Sequence, residues 1–198
     1  MTNPDSILWR SAQNIQSSQH NLNKLYDAFA LIECSCSDLA IEIADEDATD
    51  GDFLQAVWNC YFYVKRSNRA NAKITGTLTL AIQLTSDEGE EIDWEHGKRA
   101  KVLVGYAGDP SMENAWVFLT DAPNTAGYYE DCLPHSLHWK IDDAGDPSWF
   151  YALPLDHLTN ATAVRELIVA PVHEALRGGK IENELHKIEK ALCQPPKQ

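Results

Sequence analysis

One cysteine and two histidines follow one another at three-residue intervals in the segment EDCLPHSLHW, residues 130–139. Thiolate and imidazole are common protein ligands of Zn²⁺, so the spacing Cys132-x-x-His135-x-x-His138 suggests a metal site. A helix does not explain this spacing, because Pro134 biases the residue before it away from helical geometry. The linear motif is therefore a weak metal signature when taken alone.

A second set of ligands arises if a strand at 137–141 pairs with a strand at 149–155. Apolar residues dominate both segments at strand-like spacing, and the turn-forming sequence DDAGDPS separates them. We assume that Ile141 lies opposite Trp149, and a slip of one residue would change which side chains converge. With this register, the convergent ligands are Cys132, His135 and His157, with Asp156 or Asp131 as the carboxylate.

Three such ligands and one water molecule would make a hydrolytic zinc site. The alternative is purely structural, with His138 half-buried on a sheet face and Cys132 as a small core residue. His157 would then simply lie in a strand-to-helix turn. If the protein acts only by binding another protein, we expect it to need no cofactor. The metal-dependent alternative would require Zn²⁺.

The elements that must position these residues indicate an α+β protein. Apolar residues recur at helical spacing in four segments, which predicts helices at about 18–33, 52–66, 160–177 and 180–192. Alternation or short apolar runs predict strands at 74–85, 101–107, 115–119, 137–141 and 149–155. Because helices and strands are segregated along the chain, we expect about five strands in a largely antiparallel sheet, flanked by two N-terminal and two C-terminal helices.

The whole chain, residues 1–198, is expected to fold as a single α+β domain with flexible ends at 1–17 and 193–198. Its length of 198 residues and hydrophobic content of 44% suffice for one core. The segment SDLAIEIADEDATDGD contains seven acids and no base, which predicts a solvated connection between the first two helices. The threonines of strand 74–85 share one face, which we expect to contact water or a partner.

Composition limits the class of partner. Thirty acids against 16 bases give a net charge of −14, which disfavours direct binding to nucleic acid or to an anionic membrane. No apolar run approaches the ~20 residues that span a bilayer. Five irregularly spaced cysteines and an N-terminus without the features of a signal peptide favour the reducing cytoplasm.

No phosphate-binding glycine motif, G-x-S-x-G or H-E-x-x-H occurs in the chain. We therefore expect an acidic binding protein that acts through protein–protein contacts, and its oligomeric state is left open. One alternative is a metal-dependent hydrolase with the Cys/His/Asp site described above. Another is a DNA mimic, in which acidic runs such as residues 87–101 replace phosphates and inhibit a basic nucleic-acid-binding protein.

Overall fold

A computed structural model of the chain describes residues 4–47, 57–84, 96, 99–109, 132–141 and 148–195. The predicted strand 115–119, Asp131 and most of the acidic run 87–101 lie outside these residues. Within the described part, one antiparallel sheet packs a face against helices, so the α+β class is confirmed. None of the described helices is both long and apolar enough to cross a bilayer.

The chain forms four α-helices and eight strands over its described residues. The helices are α1 (Pro4–Phe29), α2 (Ala161–Val164), α3 (Ala170–Leu176) and α4 (Ile181–Lys187). The strands are β1 (Cys34–Ser35), β2 (Ala40–Asp47), β3 (Val57–Lys65), β4 (Ile74–Gln83), β5 (Lys101–Ala107), β6 (Cys132–Pro134), β7 (Trp139–Ile141) and β8 (Ser148–Pro154). All neighbours are antiparallel in the order β1-β2-β3-β4-β5-β8-β7-β6.

The predicted strands at 74–85, 101–107, 137–141 and 149–155 are confirmed as β4, β5, β7 and β8. Over the described residues, the sheet nevertheless has eight strands rather than about five, and one helix rather than two precedes it. The predicted helix at 52–66 is wrong, because its described part is β3. Both faces of β3 are buried, for example at Phe62 and Tyr61, so its apolar residues fit a helical period as well as a strand period.

The acidic connection is also partly wrong, since residues 40–47 within it form β2. Ile41 of β2 is buried and lies opposite Val64 of β3. Glu42 of β2 forms an ion pair with Lys65 across the same strand pair. Strand pairing and the burial of Ile41 thus outweigh the acidic composition of this segment.

Helix α1 begins at Pro4, well before the predicted start at residue 18. Its second half packs Leu22, Leu25 and Phe29 into the core against the sheet. The two predicted C-terminal helices are present, although the first is divided between α2 and α3. Downstream, Cys193 is buried and its N–H donates to the Ala152 carbonyl at 2.8 Å, at the start of the end predicted to be flexible.

The division between α2 and α3 is a π-helical turn, Arg165–Val169, just before Pro171. Pro171 has no N–H to donate to the carbonyl four residues earlier, that of Leu167. The buried hydroxyl of Tyr151 donates to this carbonyl at 3.0 Å. A strand residue therefore satisfies the acceptor that the proline leaves open in the helix.

The threonine face of β4 does not face water, contrary to expectation. Thr77 and Thr79 are almost completely buried, as are Leu103 and Phe150 on the same face of neighbouring strands. Neither threonine hydroxyl has a hydrogen-bond partner within the described part of the chain. The sheet is thus buried on both faces at its centre.

Candidate functional site

The cysteine–histidine segment forms a hairpin at the edge of the sheet. Pro134 at the end of β6 pairs with Trp139 at the start of β7, and four residues connect them. The His135 N–H donates to the His138 carbonyl at 2.7 Å and closes this connection. The two imidazole rings therefore lie side by side, with their centroids 4.9 Å apart. The three-residue spacing of the histidines is thus explained by a closed hairpin loop.

The assumed register between β7 and β8 is wrong by one residue, because Ile141 lies opposite Ser148 and not Trp149. The chain also reverses direction between β6 and β7. Cys132 therefore lies opposite Ile141 of β7 and does not extend the pairing between β7 and β8. Cys132 is thus near the Ser148 end of β8, whereas His157 follows its other end. The seven residues of β8 span ~20 Å.

His157 and Asp156 have other contacts near that far end. Nδ1 of His157 lies 3.2 Å from the Ala191 carbonyl oxygen, within the turn Leu155–His157. The exposed Asp156 carboxylate pairs with Arg99 at 2.8 Å, and the hydrogen bond from Arg99 lowers the pKa of Asp156. The structure therefore does not bring together the predicted ligands Cys132, His135, His157 and Asp156. Of Cys132, only the backbone position is described.

His135 has a different set of neighbours, namely His138 and Glu182. One potential ligand atom from each of these three residues lies within 4.8 Å of the others. Glu182 is in the first turn of α4, and a carboxylate oxygen lies 3.9 Å from Nδ1 of His135. Nζ of Lys140 in β7 lies 2.7 Å from the same carboxylate, and this hydrogen bond lowers the pKa of Glu182. Two histidines, one carboxylate and one lysine therefore meet between the hairpin and α4.

His138 is the buried member of this cluster. Its side chain is inaccessible to solvent, and neither ring nitrogen has a hydrogen-bond partner among the described residues. Burial lowers the pKa of His138 to about 4, and the positive charge of Lys140 and the neighbouring His135 add to this effect. At neutral pH the ring is therefore uncharged and keeps one nitrogen lone pair for a ligand.

Sequence reasoning recognised His135 and His138 but missed Glu182. The carboxylate lies 44 residues beyond His138 in the chain, and no spacing pattern connects a helix start to a distant hairpin. The sequence interpretation also treated the segment before residue 137 as a loop that leads into one strand. It therefore missed the hairpin between β6 and β7 that brings the rings of His135 and His138 together. A turn prediction at Pro134-His135-Ser136 would have been the available signal.

A second candidate surface is the N-terminal half of α1. None of the described side chains between residues 6 and 18 is buried, although this segment is helical throughout. Ile7 is 53% exposed and Trp9 is 61% exposed. Ile7 and Ile15 precede Leu22 at intervals of two helical turns, so they extend the apolar stripe that α1 buries further along.

An apolar groove adjoins the point where this stripe enters the core. Its volume is ≈ 420 Å³. The apolar side chains that line it are Leu22, Leu25, Leu84, Leu155 and Leu158. Ser18 and Leu22 of the groove thus follow directly on the exposed part of α1.

No family model, curated protein or solved structure matches this chain. The functional conclusions below consequently depend on the geometry of its own residues.

Proposed function

We propose that this protein acts in the cytoplasm by binding another protein, with the exposed half of α1 as its main contact surface. The observation that carries this proposal is the apolar stripe at Ile7 and Ile15, which continues the buried face of α1 while Ile7 is exposed and Ile15 is only half-buried among the described residues. An amphipathic helix placed in a hydrophobic groove of a partner is a common mode of recognition. The favoured partner is thus a protein with an apolar groove.

The composition of this helix half supports a role in binding. Six of the eleven residues in SAQNIQSSQHN are Ser, Asn or His, which are weak helix formers. Helices in proteins owe most of their stability to packing, and this half has very little. A partner that covers the stripe would supply the missing burial, at about 25 cal/mol for each Å² of apolar surface removed from water.

A comparison of variants tests this proposal. The full chain, a variant with Ile7→Ser and Ile15→Ser, and a control with Gln13→Ala and Gln16→Ala would each be used to capture proteins from an extract of the source cells. We expect the amount of protein captured to be at least tenfold lower for the Ile7/Ile15 variant than for the wild type or the control. Equal capture by all three forms would refute a role for the stripe.

Self-association is the competing outcome. Light scattering on the three forms at several concentrations would reveal it. A dimer that the Ile7/Ile15 variant abolishes would mean that the stripe binds a second copy of the chain and not another protein. A monomer in all three forms is the result that the proposal requires.

The cytoplasmic location is supported by the cysteines. No disulfide forms among Cys34, Cys36, Cys60 and Cys193, the cysteines whose side chains are described. Unpaired thiols are typical of a reducing compartment. Alkylation during rapid denaturation of the cells should label all five cysteines, including the buried Cys60 and Cys193, whereas an oxidised pair would contradict this placement.

The DNA-mimic hypothesis stays a prediction, because most of the acidic run 87–101 lies outside the described residues. The hydrolase hypothesis at Cys132, His135, His157 and Asp156 likewise stays a prediction, and it lacks a convergent set of ligands.

A further inference from the structure

We propose that His135, His138 and Glu182 bind a divalent transition-metal ion of the zinc class, with a fourth coordination position open to water or to an external ligand. Nothing in this proposal depends on protein binding by α1, which lies in a different element. Its basis is the convergence of three potential ligands on a hairpin and a helix terminus.

The buried His138 is the first argument. Both of its ring nitrogens are buried without a hydrogen-bond partner in the described part of the chain. An unpaired buried polar group is destabilising, so native proteins nearly always satisfy such groups. A metal ion on one nitrogen would remove much of this cost. Its position beside His135 and Glu182 supplies the remaining ligands.

The geometry of the cluster is the second argument. The three ligand atoms lie within 4.8 Å of one another, whereas ligands of a tetrahedral zinc at ~2.1 Å would be ~3.4 Å apart. Binding therefore requires the ligand atoms to approach one another by at most ~1.4 Å. The side chains of His135 and Glu182 are 47% and 32% exposed and can rotate, while His138 stays fixed in the interior. The backbone hydrogen bond between His135 and His138 keeps both histidines on one rigid loop.

Lys140 already pairs with Glu182, and it would have to coexist with the ion. A carboxylate has two oxygens and about four acceptor positions, so Glu182 can retain Lys140 while it donates another lone pair to a metal. A group that hydrogen-bonds a ligand in this way fixes its orientation. Lys140 would thus act as a positioning residue for Glu182.

The donor set selects the class of ion. Two imidazoles and one carboxylate suit Zn²⁺ and related transition metals, whereas Ca²⁺ and Mg²⁺ prefer sites built from oxygen ligands alone. Three protein ligands also leave a tetrahedral ion one position short, which is the arrangement of zinc sites that bind water or substrate.

Metal binding to the full chain tests the proposal. Chelator-treated protein would be titrated with Zn²⁺ against a chromophoric competitor, and with Co²⁺ for the visible absorption of a tetrahedral site. We expect one Zn²⁺ per chain and a fall in affinity of more than about tenfold in His135→Ala and Glu182→Gln, because loss of a mere supporting group already costs that much. The controls are His186→Ala and Glu184→Gln, also in α4, which should bind as the wild type does.

Several results would overturn the proposal. One is weak binding of several ions that His135→Ala and Glu182→Gln leave unchanged. Another is loss of binding in Cys132→Ser but not in Glu182→Gln, which would place the ion on different ligands. Circular dichroism would verify that each variant is folded. Loss of metal binding in His138→Gln would agree with the proposal but would not decide it, because this side chain is buried. The decisive variants are those of the partly exposed ligands His135 and Glu182.

Discussion

His138 makes a quantitative prediction about acid stability. Its pKa is lowered from 6.5 to about 4 in the folded protein, chiefly by burial. As the pH falls below 6.5, the unfolded chain therefore binds a proton that the native chain still excludes. The contribution of His138 to the free energy of unfolding is therefore greatest above pH ~6.5. This contribution is lost as the pH falls from 6.5 towards 4.

The size of the loss follows from the two pKa values. One pKa unit corresponds to 1.36 kcal/mol, so the contribution of His138 falls by about 2 kcal/mol at pH 5 and by about 3 kcal/mol at pH 4, relative to pH 8. Such a loss is a substantial fraction of the stability of a typical domain. The neighbouring charges Lys140 and Glu182, together with His135, face the same ring and are retained in all forms compared.

Urea denaturation at pH 8, 7, 6 and 5, with a chelator present, would measure this contribution in the wild type and in His138→Leu. Other acid-sensitive groups act on both proteins, so the difference between their pH profiles isolates His138. We expect the wild type to lose about 2 kcal/mol more than the variant between pH 8 and pH 5. The control is His186→Ala, which removes an exposed histidine.

Parallel pH profiles for the wild type and His138→Leu would refute this reasoning. They would mean that water or a structural rearrangement lets the native protein protonate His138 without loss. A difference of the opposite sign would mean that the folded state stabilises the imidazolium, for example through Glu182.

Three substitutions test the packing described above by denaturant unfolding. Gly76→Ala should cost about 1–3 kcal/mol, because its Cβ would overlap the Ala107 carbonyl oxygen, and wild-type stability would show that the strands can separate there. Tyr151→Phe should also cost about 1–3 kcal/mol, since it removes the donor to the Leu167 carbonyl, whereas an unchanged value would imply that water replaces the hydroxyl. Asn160→Ala should cost about 1 kcal/mol by removing the cap that accepts from two backbone N–H groups of α2, and Asn160→Asp should retain most of that stability.

The parts of the fold that were predictable are those with a single periodicity. Strand β4 alternates apolar residues such as Leu78 and Leu80 with threonines, so it was identified even though both of its faces are buried. Strand β3 has large apolar or aromatic residues at consecutive positions, for example Tyr61 and Phe62. Such a segment satisfies a helical period too, and only its partners decide between the two.

The site was predictable to a smaller extent, because it depends on tertiary contacts. The chemistry of His135 and His138 was visible in the sequence, and the hairpin that joins them was not. The register between β7 and β8 is fixed by packing such as the stacking of Trp139 on Phe150, whose rings lie 4.9 Å apart. Glu182 reaches the hairpin only because α4 packs near β7, which no local pattern encodes.

The contact between Cys193 and Ala152 has a consequence for solubility. β7 pairs with β8 only as far as Phe150, so the outer edge of β8 at Ala152 would otherwise present unpaired backbone groups. Such an open edge is a template for pairing with a strand of another molecule and hence for aggregation. The Cys193 N–H occupies the Ala152 carbonyl instead. The backbone at Cys193 thus covers one acceptor of the sheet edge where β7 stops, which makes that position less open to a strand of a neighbouring molecule.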